Sequence, residues 1–325
     1  MGGIAIGAAG WVGLAIWYTF PLDATLRGVI SGGYGVLMLG CLFLCLKNRR
    51  LAWLSLPVLL SFSAMLVWWS TIVPRNDRAW PDHVAKPAVA EIQGDLINVR
   101  NIRNFKYRSE TDFTARWYNK TFDLRKLDSL DLIAVYWMGD AIAHTFLSFG
   151  FGDERLAISI ETRMETGEEY SALAGFFRRY ELFYVVASEN DLIGLRTTYR
   201  DPQEDVFIYR VTTEKQKIRK LFMQYVAIIN HMSVAPAFYN TAMTNCTTNI
   251  VTHVKAFNDD VPFSWKMVLT GYFPELLYDW GRLDQSLSFA DLREKSLVNR
   301  QSQAADGMPE FSRLIRAGLP GSRHD

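Results

Sequence analysis

Residues 142–163 read IAHTFLSFGFGDERLAISIETR. Two runs of alternating apolar and polar residues flank the turn sequence GDER, so the segment predicts a β-hairpin. A turn centred on Asp153–Glu154 pairs residues whose numbers sum to 307. Residue 144 then faces 163, 146 faces 161 and 148 faces 159. One face carries His144, Ser148, Ser159, Glu161 and Arg163. The other carries Thr145, Leu147, Phe149, Ile158 and Ile160, which read as core. His144 lies diagonal to Glu161, within side-chain reach. An imidazole beside a carboxylate is a general base with its orienting group. The same pattern also suits a half-buried sheet histidine next to a structural Glu161–Arg163 ion pair.

The hairpin sits among other strand-like runs rich in Val, Ile, Tyr and Phe. These are residues 95–105, 113–124, 131–138, 181–188, 191–200 and 205–211. Residues 214–232 read as an amphipathic helix with Thr213 as N-cap, ended by Pro236. A second helix starts near Cys246. The class is α+β, a mostly antiparallel sheet with a few packed helices.

Residues 239–250 read YNTAMTNCTTNI. Cys246 is the one thiol outside the apolar N-terminal region, which holds Cys41 and Cys45 four residues apart as small apolar filler. A thiolate at a helix N-terminus is stabilised by the dipole and by unpaired N–H groups. With His144 it makes a nucleophile and base. The competing reading, a buried small side chain, fits poorly with the neighbours Asn245, Thr247, Thr248 and Asn249. His231, near the end of the preceding helix, is the alternative base. His253 lies two turns beyond the cysteine, too far along the axis to reach it. His83 and His324 fall in a linker and a tail. There is no HExxH and no Cys/His cluster at metal spacing, so neither a metal nor a cofactor is expected.

Three uncharged runs, 2–20, 28–46 and 51–73, each approach or exceed the ~20 apolar residues that cross a bilayer. The loop KNRR, residues 47–50, marks the cytoplasmic side. The chain beyond residue 74 is then outside the cytoplasm, on the periplasmic side of a bacterial inner membrane. The expected organisation is a three-helix membrane anchor (1–73), a Pro- and charge-rich linker (74–92), an enzyme domain (93–295) and a flexible polar tail (296–325). A net charge of +1 supplies no field for nucleic acid.

Histidine on a strand followed by cysteine on a helix resembles the circularly permuted branch of the NlpC/P60 papain-like superfamily. Its lecithin–retinol acyltransferase members carry Asn-Cys at the nucleophile, as Asn245-Cys246 does here, but Thr247-Thr248 depart from their motif. The strings AHTFLSF, ISIETR, YELFYVVASENDLIGLR, PAFYNT and TNCTTNI are similar to the family of the periplasmic domain of the lipoprotein N-acyltransferase Lnb, over most of residues 95–255. The resemblance implies a permuted papain-like domain with Cys246 as nucleophile and His144 as base, and support from Tyr239, Asn240 and Asn245. Glu161 as third member, with Ser159 and Arg163 beside it, rests on the hairpin face. The implied activity is transfer of an acyl chain from a phospholipid to the amino terminus of a lipoprotein, or a similar amine, at the membrane. A cell-wall amidase or cysteine peptidase is the alternative enzyme. A non-catalytic envelope scaffold is the alternative of another class.

Overall fold

A computed structural model describes residues 2–258 and 260–321. The chain divides into two units. The first comprises residues 1–75 with 168–181 and 237–241, and the second the remainder.

The first unit is built on three helices, α1 (Gly2–Thr19), α2 (Ala24–Lys47) and α3 (Leu56–Thr71). Asp23 caps α2, its carboxylate accepting the Leu26 N–H at 3.0 Å. Two helical runs, Ala24–Lys47 and Arg50–Thr71, are long and apolar enough to cross a membrane. The sequence led to three. Helix α1 is apolar but has 18 residues, about 27 Å at ~1.5 Å per residue against a core of ~30 Å. Residues 168–181 pack within this unit. Phe177 is buried and stacks on Tyr18 with ring centroids 5.4 Å apart. Arg178 donates to the Trp69 carbonyl at 2.8 Å.

The second unit holds an eight-stranded sheet ordered β1 (Val89–Gln93), β2 (Leu96–Arg103), β9 (Glu181–Ala187), β8 (Glu154–Arg163), β7 (Ala143–Phe151), β6 (Leu127–Tyr136) and β10 (Asp205–Arg210), with β5 (Trp117–Asp123) also paired to β2. Short strands β3 (Lys106–Tyr107) and β4 (Phe113–Thr114) form a separate pair. The described ladders are antiparallel except β2 with β9, which is parallel. The expected linker 74–92 contains α4 (Asp82–Ala85) and the start of β1, which pairs Val89 with Arg100.

The hairpin forms with a different register. Leu147 pairs with Ile158 and Phe151 with Glu154, so partner numbers sum to 305. The loop is Gly152–Asp153, and Gly152 has φ 65°. A glycine at the first central position is what a type II′ turn requires. Because the displacement is by two residues, every side chain keeps its face. Continued along the strands, the register sets 144 opposite 161 rather than diagonal to it.

Both faces of the sheet are covered. On one side lie α5 (Lys215–Val234) and α6 (Cys246–Lys255), with Phe149 edge-on to Phe222 at 5.1 Å. Helix α5 starts without the expected Thr213 cap; Glu214 holds that position and makes no side-chain capping bond. On the other side, Ile133, Val135, Phe146 and Ala157 pack with Leu192, Val298, Phe311 and Ile315. Most of residues 191–200, expected as a strand, form a π-helix, Asn190–Tyr199, buried from Asp191 to Thr197. The expected flexible tail folds as α9 (Asn299–Ala305) and α10 (Phe311–Leu314), after α7 (Phe273–Asp279) and α8 (Phe289–Lys295). Val298, Ala305, Phe311, Ile315 and Leu319 are buried, which ties this segment to the sheet. His324 lies outside the described residues.

Candidate active site

Cys246 is the first residue of α6. A capping box closes that end: Asn245 Oδ1 accepts the Thr248 N–H at 2.8 Å, and Thr248 Oγ1 accepts the Asn245 N–H at 2.9 Å. The Asn245 carbonyl also accepts Asn249 Nδ2 at 2.9 Å. Polar residues around the cysteine are therefore explained by helix capping, and the cap fixes where the sulfur points. The first N–H groups of a helix have no intrahelical acceptor, so Cys246 opens onto a set of donors.

His144 is the second residue of β7, and its side chain is 14% exposed, enough to reach solvent. Its Nε2 lies 2.7 Å from Ser159 Oγ and 3.1 Å from Glu161 Oε1. Ser159 Oγ itself donates to Glu161 Oε1 at 2.6 Å. The hydroxyl proton is thus spent on the carboxylate, and Nε2–H donates to Ser159 and Glu161 together. That leaves Nδ1 as the ring nitrogen available to the sulfur.

The electrostatics follow from this contact set. Burial works against a charged His144, but Glu161, the Cys246 sulfur and hydrogen bonds to both outweigh it and raise its pKa to about 9. Burial would also raise the Cys246 thiol. His144 beside it, with hydrogen bonds from the backbone and hydroxyl of Thr145, brings it down to about 7. Burial opposes the Glu161 charge in turn, yet His144, Arg196 and Ser159 hold its carboxyl well below the usual range. The sulfur and imidazole therefore favour the thiolate–imidazolium form.

Two contributors were not read from the sequence. Arg196, on the π-helix, donates to Glu161 Oε1 at 3.1 Å and is buried against the Phe146 ring. Beyond it Glu204 and Arg200 continue an alternating chain of charge toward Glu110. Its signal was hidden, since a π-helix has no familiar periodicity and Arg196 is 35 residues from Glu161. Thr145 was assigned to the core face; it is fully buried there, but its hydroxyl meets Thr247 Oγ1 at 2.8 Å and supports Cys246.

Arg163 and Tyr239 have other described partners. Arg163 is buried, donating to Asn76 Oδ1 at 2.7 Å and the Val84 carbonyl at 3.0 Å, with its guanidinium 4.2 Å from the Trp80 ring. Its described contacts anchor the 76–85 segment. Tyr239 and Asn240 belong to the first unit. There the Tyr239 N–H donates to the Tyr180 carbonyl at 2.9 Å. His253 packs against Tyr225 and bonds Tyr184 Oη at 2.8 Å, and burial lowers its pKa to about 4. His231 is exposed near the end of α5.

Residues 113–271 match the protein family described as Lnb N-terminal periplasmic domain. No curated protein and no solved structure matches the chain. The matched segment runs from β4 through the hairpin, the π-helix and α6, and so includes Cys246, His144, Ser159, Glu161 and Arg196. With the apolar N-terminal helices, it points to a membrane-anchored, Lnb-like protein with a periplasmic domain. Residues 113–271 belong to the family of the Lnb N-terminal periplasmic domain.

Proposed function

We propose that this protein is a membrane-anchored cysteine acyltransferase that moves a fatty acyl chain from a phospholipid to the amino terminus of a lipoprotein, or a similar amine, through a thioester on Cys246. The observation that carries the reading is the Cys246–His144–Glu161 arrangement at the N-terminus of α6, with the thiol lowered to about 7 and the imidazole raised to about 9. Family membership of the same segment supports it. The apolar helices hold the domain near substrates that are themselves in the bilayer, which raises their effective concentration.

In the first step Cys246 Sγ attacks the ester carbonyl carbon. The C–S bond forms, the ester C–O bond breaks, and the leaving alcohol takes the proton from His144. In the second, the acceptor amine attacks the thioester carbon, His144 takes the amine proton, and the thiolate leaves. N–H groups at the start of α6 are the candidate donors to the oxyanion in both steps. Glu161 and Ser159 hold the imidazole, and no cofactor is required. Residues after the KNRR loop reach the periplasmic side by crossing once, through 51–73. That topology does not depend on whether α1 also spans.

The test is intact-mass analysis of purified full-length protein after incubation with phospholipid vesicles. The expected result is one acyl adduct, released by neutral hydroxylamine and missing in Cys246→Ala. Folded wild type that carries no adduct, with or without an amine acceptor, would refute the acyl-enzyme route.

A further inference from the structure

A second feature of the same domain is an apolar pocket of about 360 Å³, within the ~300–1,000 Å³ usual for ligand sites. Its walls come from α5 (Ile218, Leu221), β6 and β7 (Leu132, Leu147) and the segment around Phe273. Its floor is α6, through Ile250, Val251 and Val254, with Phe257 just beyond the end of the helix. The three helical residues follow Cys246 by four, five and eight residues. At 3.6 residues per turn Ile250 lies about 40° round the axis from Cys246 and Val254 about 80°, so the floor of the pocket starts one turn beyond the sulfur. Ionic side chains line it sparsely: Lys217, Asp260 and Arg282.

The dimensions match one hydrocarbon chain. From Cys246 to Lys255, the last residue of α6, is about 14 Å along the axis at ~1.5 Å per residue. A membrane lipid chain spans roughly half of the ~30 Å hydrocarbon core. We infer that this pocket is the acyl-chain site of the Cys246 centre, and that its length, from Ile250 on α6 to Phe257 beyond the helix end, sets which chain is accepted. This inference rests on the thioester proposed above for the identity of the chain's anchored end. The pocket's affinity for an acyl chain does not depend on it.

Each methylene withdrawn from the pocket lowers affinity about fourfold. A variant that shortens the pocket by about two carbons therefore lowers the longest adduct roughly 15-fold. Ile250→Phe fills the pocket one turn from Cys246 and Val254→Phe one turn further on, whereas Leu277→Ala, at another lining residue, enlarges it. Full-length protein is incubated with mixed-chain phosphatidylglycerol vesicles, and the adduct masses on Cys246 are read. The expected order of chain length is Ile250→Phe shortest, then Val254→Phe, then wild type, with Leu277→Ala longest. In parallel, 11-(dansylamino)undecanoic acid is bound to Cys246→Ala and to the double variants, and displaced by fatty acids of increasing length. This arm reads the pocket without the chemistry. Near-UV circular dichroism accompanies each variant, and the enlarging Leu277→Ala keeps the test decisive if a filling variant unfolds. Probe binding that ignores these substitutions overturns the pocket as an acyl site. Binding that obeys them without any adduct supports the pocket and removes the acyltransferase instead. Adducts whose length ignores all three substitutions overturn the ruler.

Discussion

Glu161→Gln is the substitution that most directly probes the thiolate–imidazolium pair. Glutamine keeps an oxygen for Ser159 and for the Nε2–H of His144, but removes the charge 3.1 Å from the ring. His144 then loses its largest favourable partner, since the carboxylate leads the groups that hold its pKa at about 9 against burial. The shift from the ordinary ~6.5 corresponds to about 3 kcal/mol in favour of the imidazolium. Without it the proton stays on sulfur, and Cys246 titrates near the ordinary ~8.5 or above. In wild type the thiolate forms as pH rises through about 7, and the imidazolium is lost through about 9. At pH 7 the thiolate fraction falls from about one half to about 3%. A thiolate with a pKa ~1.5 units higher is roughly fivefold more nucleophilic at a Brønsted slope of ~0.45. The net loss in iodoacetamide rate at pH 7 is therefore only about threefold, and the variant overtakes wild type near pH 8. The assay is the full pH–rate profile of alkylation, read by mass at Cys246, on protein shown to be folded. A folded variant with its midpoint still near 7 would refute the role given to Glu161.

His144→Ala lowers acyl-adduct formation by about 10²–10⁴-fold, while His231→Ala, at an exposed position, leaves it unchanged; both are read by single-turnover mass analysis. Arg163→Met unpairs the Val84 and Ala85 carbonyls and Asn76, so it costs about 3 kcal/mol and lowers the thermal midpoint by several degrees. Gly271→Ala brings a Cβ within 2.0 Å of the Asp140 carbonyl oxygen. It is expected to move the start of β7, slowing Cys246 alkylation at pH 7 and destabilising the protein by about 1–3 kcal/mol.

The hairpin faces were legible in the sequence because alternation survives an error of two residues. The register itself was not, because GDER accommodates more than one loop. The start of helix α6 near Cys246 was legible, but the Asn245–Thr248 capping box that makes it was not read, and its polar residues were set against a buried thiol instead. The π-helix was not: Leu192, Ile193 and Leu195 are as apolar as a strand, and the chain buries Asp191, Arg196 and Thr197 among them. The C-terminal segment looked flexible because its five buried apolar residues are spread over 22 positions among polar ones. Their shared face exists only once the sheet is there to receive them. Arg196 is hidden for the same reason, since its partner Glu161 lies on another element.

The sulfur is among the groups that raise the affinity of His144 for its proton. A thioester carries no charge, so acylation withdraws that support while Glu161 and burial remain. The imidazolium becomes more acidic at the moment the departing alcohol needs a proton. Having delivered it, the ring is left neutral beside a thioester, ready to accept a proton from the next nucleophile. On the proposed reaction, one histidine is timed to give first and take second by the covalent state of its neighbour. An uncharged mimic of acylation, such as a stable thioether on Cys246, should therefore lower the pKa of His144, a shift that NMR can follow.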